Sequence, residues 1–113
     1  MENIPCPIEE TTLVEAVAAK LGLKTQHAKL FLAVAFENAQ LFDRKQLDYG
    51  PRNILGFGLF GIIVRMNDKF ERMKNLYNKK RKPRNESLRD SLRDIANYAI
   101  IATMVDTNRW PDA

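Results

Sequence analysis

The stretch GFGLFG, Gly56 to Gly61, decides how this chain is read. It spells the G-x-G-x-x-G pattern that cradles a dinucleotide pyrophosphate when a strand precedes it and a helix follows. Upstream stands DYGP, residues 48–51, where glycine followed by proline stops a helix. About 20 residues downstream, where a dinucleotide site needs a second strand with an acidic residue, the chain reads LYNKKR. Neither flank suits such a sheet. The glycines are expected instead to mark an irregular lead-in to a helix, where missing side chains let another backbone or a ligand come close. Phe57, Leu59 and Phe60 would pack around it.

Outward from this point the periodicity is helical. Thr12 and Glu15 have capping-box spacing, and Leu13, Val14, Val17, Ala18 and Leu21 share one face until Gly22. Thr25 caps a second helix, in which Leu30, Phe31, Val34, Ala35, Leu41 and Phe42 keep the helical period as far as DYGP. A third begins between Asn53 and Leu59 and runs to near Tyr77, with Ile62, Met66, Phe70, Met73 and Tyr77 inward. Asn85 caps a fourth, whose inward stripe is Leu88, Leu92, Ile95 and Ala99, with apolar residues continuing to Val105. No segment alternates with period two. The expected fold is all-α, an antiparallel bundle of about four helices.

Composition narrows the function. With 113 residues, 45% hydrophobic and 28% charged, the chain fits one core and suggests no disorder. Its longest apolar runs, LFGIIV and YAIIATMV, fall far short of the roughly 18 residues that cross a bilayer. No cationic-then-apolar leader opens it, so a cytoplasmic protein without a membrane partner is expected. Cys6 is the lone cysteine and His27 the lone histidine, which excludes an internal disulfide and a zinc cluster. The net charge of +4 is concentrated in Lys79, Lys80, Arg81, Lys82 and Arg84, which read either as a solvated loop or as a phosphate contact. His27 reads as a surface or helix-packing residue, and Trp110, beside Pro111, as an anchor for the tail.

Two polar faces carry the candidate site. On the third helix Arg65, Asp68, Arg72 and Asn75 lie away from Met66, Phe70 and Met73. On the fourth, Asp90, Asp94 and Asn97 share a face that continues into Ile101 and Met104, so it does not point wholly at water. Carboxylates one turn apart in such surroundings need a compensating partner: a divalent cation, an arginine or a nucleotide contact. The repeat SLRDSLRD also sets Arg89 and Arg93 beside them, so internal salt bridges are an equal alternative. A cation held by carboxylates without thiol or imidazole would be Mg²⁺ or Mn²⁺. Arg65, Lys69 and Arg72 would then meet polyphosphate, while Tyr49 either stacks on a base or packs at a helix end.

The blocks LDYGPRNI, VRMNDKFERMKNL and NESLRDSLRDIANYAIIATM, in this order, resemble the first nucleotide modification associated domain family, small proteins found largely in phages and bacteria. The resemblance spans roughly residues 37 to 110. It makes residues 1–24 an N-terminal extension with a short helix, and residues 25–113 a helical nucleotide-binding domain. That family in turn is similar to the all-α nucleoside triphosphate pyrophosphohydrolases of the MazG and dimeric dUTPase type, which bind Mg²⁺ through acidic residues and work as oligomers. The resemblance implies Asp68, Asp90 and Asp94 as metal ligands, and Glu37 as the residue orienting a catalytic water. Asp48, Tyr49, Arg65, Lys69, Arg72, Asn75 and Asn97 would contact the substrate. The paired-glutamate motif of those enzymes appears here as Glu37 followed by Gln40, one ligand short.

Three functions follow. One is a Mg²⁺-dependent enzyme acting on a nucleotide. A second is a homo-oligomeric binding protein that captures a nucleotide or cyclic nucleotide unaltered, for example a signalling nucleotide in phage–host conflict. The third, a nucleic-acid binder using NKKRKPR, ranks last, because acids interrupt the polar stripes and no recognition helix is evident.

Overall fold

The computed structural model describes residues 11–50, 56, 58–79 and 88–111. Among them are four α-helices and no strand: α1 (Thr12–Leu21), α2 (Gln26–Tyr49), α3 (Gly58–Lys79) and α4 (Leu88–Asp106). The all-α expectation holds. The chain forms two compact units, Glu2–Arg44 and Lys45–Ala113, divided inside α2. Cys6, Asn85, Phe57 and the basic stretch from Lys80 to Arg84 lie outside the described residues.

In the first unit α1 starts one residue earlier than its capping box implied. Thr11 is the N-cap, and its hydroxyl accepts a hydrogen bond from the Val14 N–H at 3.4 Å. Thr12 is already helical, and Glu15 is one position too late to cap reciprocally. Its carboxylate instead reaches Lys29 of α2 at 3.1 Å. Gly22 ends α1 in a Schellman turn, with Leu23 N–H bonded to Ala18 C=O at 2.9 Å and Gly22 N–H to Ala19 C=O at 3.1 Å. Thr25 caps α2 as its sequence predicts, accepting from Ala28 N–H at 3.0 Å. Val14, Ala18, Ala33 and Leu41 are buried, together with the polar Glu37 and Asn38. Leu13, Leu21, Leu30, Phe31 and Val34 are exposed, so the buried stripes are narrower than the apolar ones.

In the second unit α3 and α4 pack against each other. The glycine before Pro51 closes α2: Gly50 N–H bonds to Gln46 C=O at 2.8 Å, and its φ of 73° is one that a side chain resists. Gly58 opens α3 at φ 61°. Among the described residues a Cβ placed there meets nothing within 4 Å, and the left-handed backbone by itself favours glycine. At the far end α4 stops in a second Schellman turn, with Asn108 at φ 56° and Arg109 N–H bonded to Met104 C=O at 2.6 Å.

The inward faces of α3 and α4 differ from the expected stripes. On α3 Ile62 is buried, and Met66 and Met73 are half-buried, but Phe70 and Tyr77 are exposed. Arg65 and Lys69 are half-buried in their place. On α4 the expected stripe is reversed. Leu88, Leu92 and Ala99 are exposed, Ile95 is half-buried, and the buried residues are Asp90, Ser91, Asn97 and Ile101.

Candidate functional site

The reversed face of α4 is where the chemistry gathers. A helical repeat of 3.6 residues sets Asp90, Asp94 and Asn97 one above another, with Ser91 at the edge of the same strip. Ser91 is wholly enclosed, and Asp90 and Asn97 are buried. The Asp94 side chain is only 12% exposed.

Two lysines converge on Asp94. The Lys45 ammonium lies 2.8 Å from Oδ1 and the Lys69 ammonium 3.0 Å from Oδ2. Lys45 comes from the last turns of α2 and Lys69 from the middle of α3, so three helices supply one ion cluster. All three residues belong to the same compact unit. Both lysines keep contact with solvent, at 31% and 25% exposure. Each oxygen of Asp94 thus has its own ammonium group. For Asp94 the compensating partner that the carboxylates require includes an ammonium pair, which the helical spacing alone did not point to.

The other expected residues divide. Arg65, one turn before Lys69 on α3, is half-buried on the same side of that helix. Asp68, Arg72 and Asn75 are exposed, as are Asp48 and Tyr49 at the end of α2. Glu37 is buried in the other unit. The three carboxylates given to Mg²⁺ do not gather: Asp68 is exposed, while Asp94 has an ammonium on each oxygen. Among the described residues no three of His, Cys, Asp and Glu form a group able to hold a metal ion. Asp90 and Asp94, one turn apart, are then the pair that would hold a Mg²⁺ ion, which commonly takes one or two carboxylates and completes its shell with waters and phosphate oxygens.

Sequence reasoning missed Lys45 and Ser91. Lys45 stands 49 residues before Asp94, a separation at which no local spacing relates the two. Ser91 is masked by its neighbours, since a small hydroxyl between charged residues looks like any solvated helix position.

This is a small all-α protein whose second unit has a largely buried polar helix face, with one of its aspartates paired to two lysines. Residues 45–105, more than half of the chain, match the family model described as nucleotide modification associated domain 1, and the chain belongs to that family. The matched region begins at Lys45, where the second unit begins, and it contains Lys69 and Asp94 but not Glu37. No curated protein and no solved structure matches the chain. No helix among the described residues is long and apolar enough to cross a membrane.

Proposed function

We propose that the protein binds a nucleotide by its phosphate end and retains it unchanged. The observation that carries this reading is the convergence of Lys45 and Lys69 on Asp94, which sets two part-buried ammonium groups at one point open to solvent. Phosphate is recognised by such charge-assisted contacts, which strengthen where water is partly excluded. Arg65 adds a guanidinium one turn away on α3, and Arg72 and Asn75 continue toward the exposed side. Tyr49 follows Lys45 by one turn of α2, exposed and suited to stacking on a base, with Asp48 beside it to accept a hydrogen bond from sugar or base. Asn97 supplies an amide deeper on the α4 face. The family description, which ties the domain to nucleotide modification, agrees with a nucleotide ligand.

A second reading, Mg²⁺-dependent pyrophosphohydrolysis of the MazG type, is favoured by Asp90 and Asp94 standing one turn apart on a buried face. Calorimetry with a panel of nucleotides, in EDTA and then in Mg²⁺, separates the two. Binding in EDTA, with intact nucleotide recovered on denaturation, supports retention. Release of pyrophosphate or monophosphate only with Mg²⁺ would replace that reading with the second, and no uptake under either condition would remove both. We propose further that copies of the chain associate through the exposed apolar side of α3, where Phe60, Ile63, Phe70 and Tyr77 recur at spacings of three, seven and seven.

A further inference from the structure

The ammonium groups of Lys45 and Lys69 do not share one oxygen of Asp94; each approaches a different one, at 2.8 and 3.0 Å. Two oxygens of a single anion, each facing its own lysine, is also how a phosphate group sits between two lysines. We propose that Asp94 is a built-in stand-in for the ligand phosphate, and that the ligand accordingly ends in a terminal phosphate monoester, not in phosphodiesters alone. The proposal rests on the nucleotide-binding reading above and adds to it a ligand class and a residue that selects it.

The selection follows from competition. Asp94 is fixed to α4 and largely enclosed, so it acts on the lysines as a tethered ligand, at an effective concentration of about millimolar or more. An incoming anion must do better than this carboxylate. A phosphodiester carries one negative charge, the same as Asp94, and arrives from dilute solution, so it does not displace it. A terminal phosphate carries about 1.5 to 2 negative charges at neutral pH and offers three oxygens. It takes the ammonium pair with more charge than it displaces. Arg65, on the same side of α3 as Lys69, adds a further cation for the larger anion. Asp90, buried one turn from Asp94, discourages a second anion from settling deeper on the α4 face.

The test uses the full chain with methyl phosphate as the monoester probe and dimethyl phosphate as the diester, followed by amide shifts in NMR titrations. Wild type is expected to bind methyl phosphate at least about tenfold more tightly at a pH of about 8, and to lose that preference as pH falls below the phosphate second pKa of about 6. Asp94→Asn, which removes the competing charge but keeps the shape, is expected to bind methyl phosphate about tenfold more tightly than wild type and to take up the diester that wild type rejects. Asp94→Glu, which restores a carboxylate, should return toward wild-type discrimination. Weaker or unchanged phosphate binding by Asp94→Asn overturns the proposal, since Asp94 would then be a ligand contact or a structural group. The wild-type ratio of monoester to diester binding needs no variant, and equal affinities overturn the proposal even if Asp94→Asn does not fold. If wild type retains nucleotides yet shows no such preference, only the stand-in role falls. If it takes up neither nucleotides nor either probe, the nucleotide-binding reading falls with it.

Discussion

Removing the charge of Asp94 should reverse the sign of what Lys69 contributes to stability. With the carboxylate in place, each ammonium has an opposite charge at about 3 Å, an attraction on the order of 5–6 kcal/mol before solvation is subtracted at an effective dielectric near 20. Exposed pairs net about 0–1 kcal/mol, and breaking a fully buried one costs about 3–5 kcal/mol. Asp94 at 12% exposure, with lysines at 31% and 25%, lies between these limits. Asp94→Asn is therefore expected to cost about 2 kcal/mol, because it leaves two ammonium groups facing each other, and Lys69→Met about 1 kcal/mol. In the Asp94→Asn background, however, Lys69→Met removes a repulsion and should be neutral or stabilising. The coupling is then at least about 1 kcal/mol, well above the scatter for independent sites. Urea denaturation of the four proteins, followed by far-ultraviolet circular dichroism at low and at high salt, measures it, and the coupling should shrink but persist in salt. If Lys69→Met costs the same in both backgrounds, the three residues are not one electrostatic unit, and the reasoning about the site fails at its base.

Other perturbations test the packing. Ile62→Ala, at a fully buried position, should cost about 2–5 kcal/mol in urea denaturation, whereas Phe60→Ala, two residues earlier and exposed, should cost under about 0.5 kcal/mol in an isolated chain. Gly58→Ala should cost about 1–2 kcal/mol from its left-handed backbone alone, because the added methyl meets no neighbour, and Gly58→Asn should recover part of the loss; equal melting temperatures for the two variants would contradict this. Ser91→Leu, forced into an enclosed position, should destabilise by about 1–3 kcal/mol, and a neutral result would show that the α4 face is open.

The helices were legible because their stops are chemical. Gly22, Thr25 and Gly50 each satisfy a backbone group that a helix end leaves unpaired, and each acts where the sequence places it. The candidate site was half legible. Asp90, Asp94 and Asn97 share a face by periodicity alone, and their unease in water follows from the apolar residues that continue it. The lysine partners were not legible, because an ion pair between helices depends on rotation about each axis, which no spacing within one helix records. The stripe on α3 marks Lys69 as a phosphate contact, and nothing in the spacing around Lys45 points to Asp94. The rotation of the helices was the larger miss. Phe70 and Tyr77 on α3, and Leu88 and Leu92 on α4, fit an inward stripe as well as the residues that are in fact covered.

That miss has a physical cause that bears on assembly. Periodicity reports every face that avoids water, whether the chain's own helices cover it or a neighbouring chain does. On α4 the polar Asp90, Ser91 and Asn97 are buried while Leu88, Leu92 and Ile100 are exposed, the opposite of what a solitary bundle gains by folding. Apolar surface returned to water costs roughly 25 cal/mol for each Å², so a face of this kind favours association. α3 likewise exposes Phe60, Ile63, Phe70 and Tyr77, and self-association through these residues would bury apolar surface without disturbing Asp94 and its lysines. Phe60→Ser combined with Phe70→Ser should lower the mass measured by light scattering to that of one chain, 13.0 kDa, while the circular dichroism spectrum keeps its helical form. A wild-type protein that already scatters as a single chain at every concentration tested would refute this assignment and leave the apolar faces to a different kind of partner.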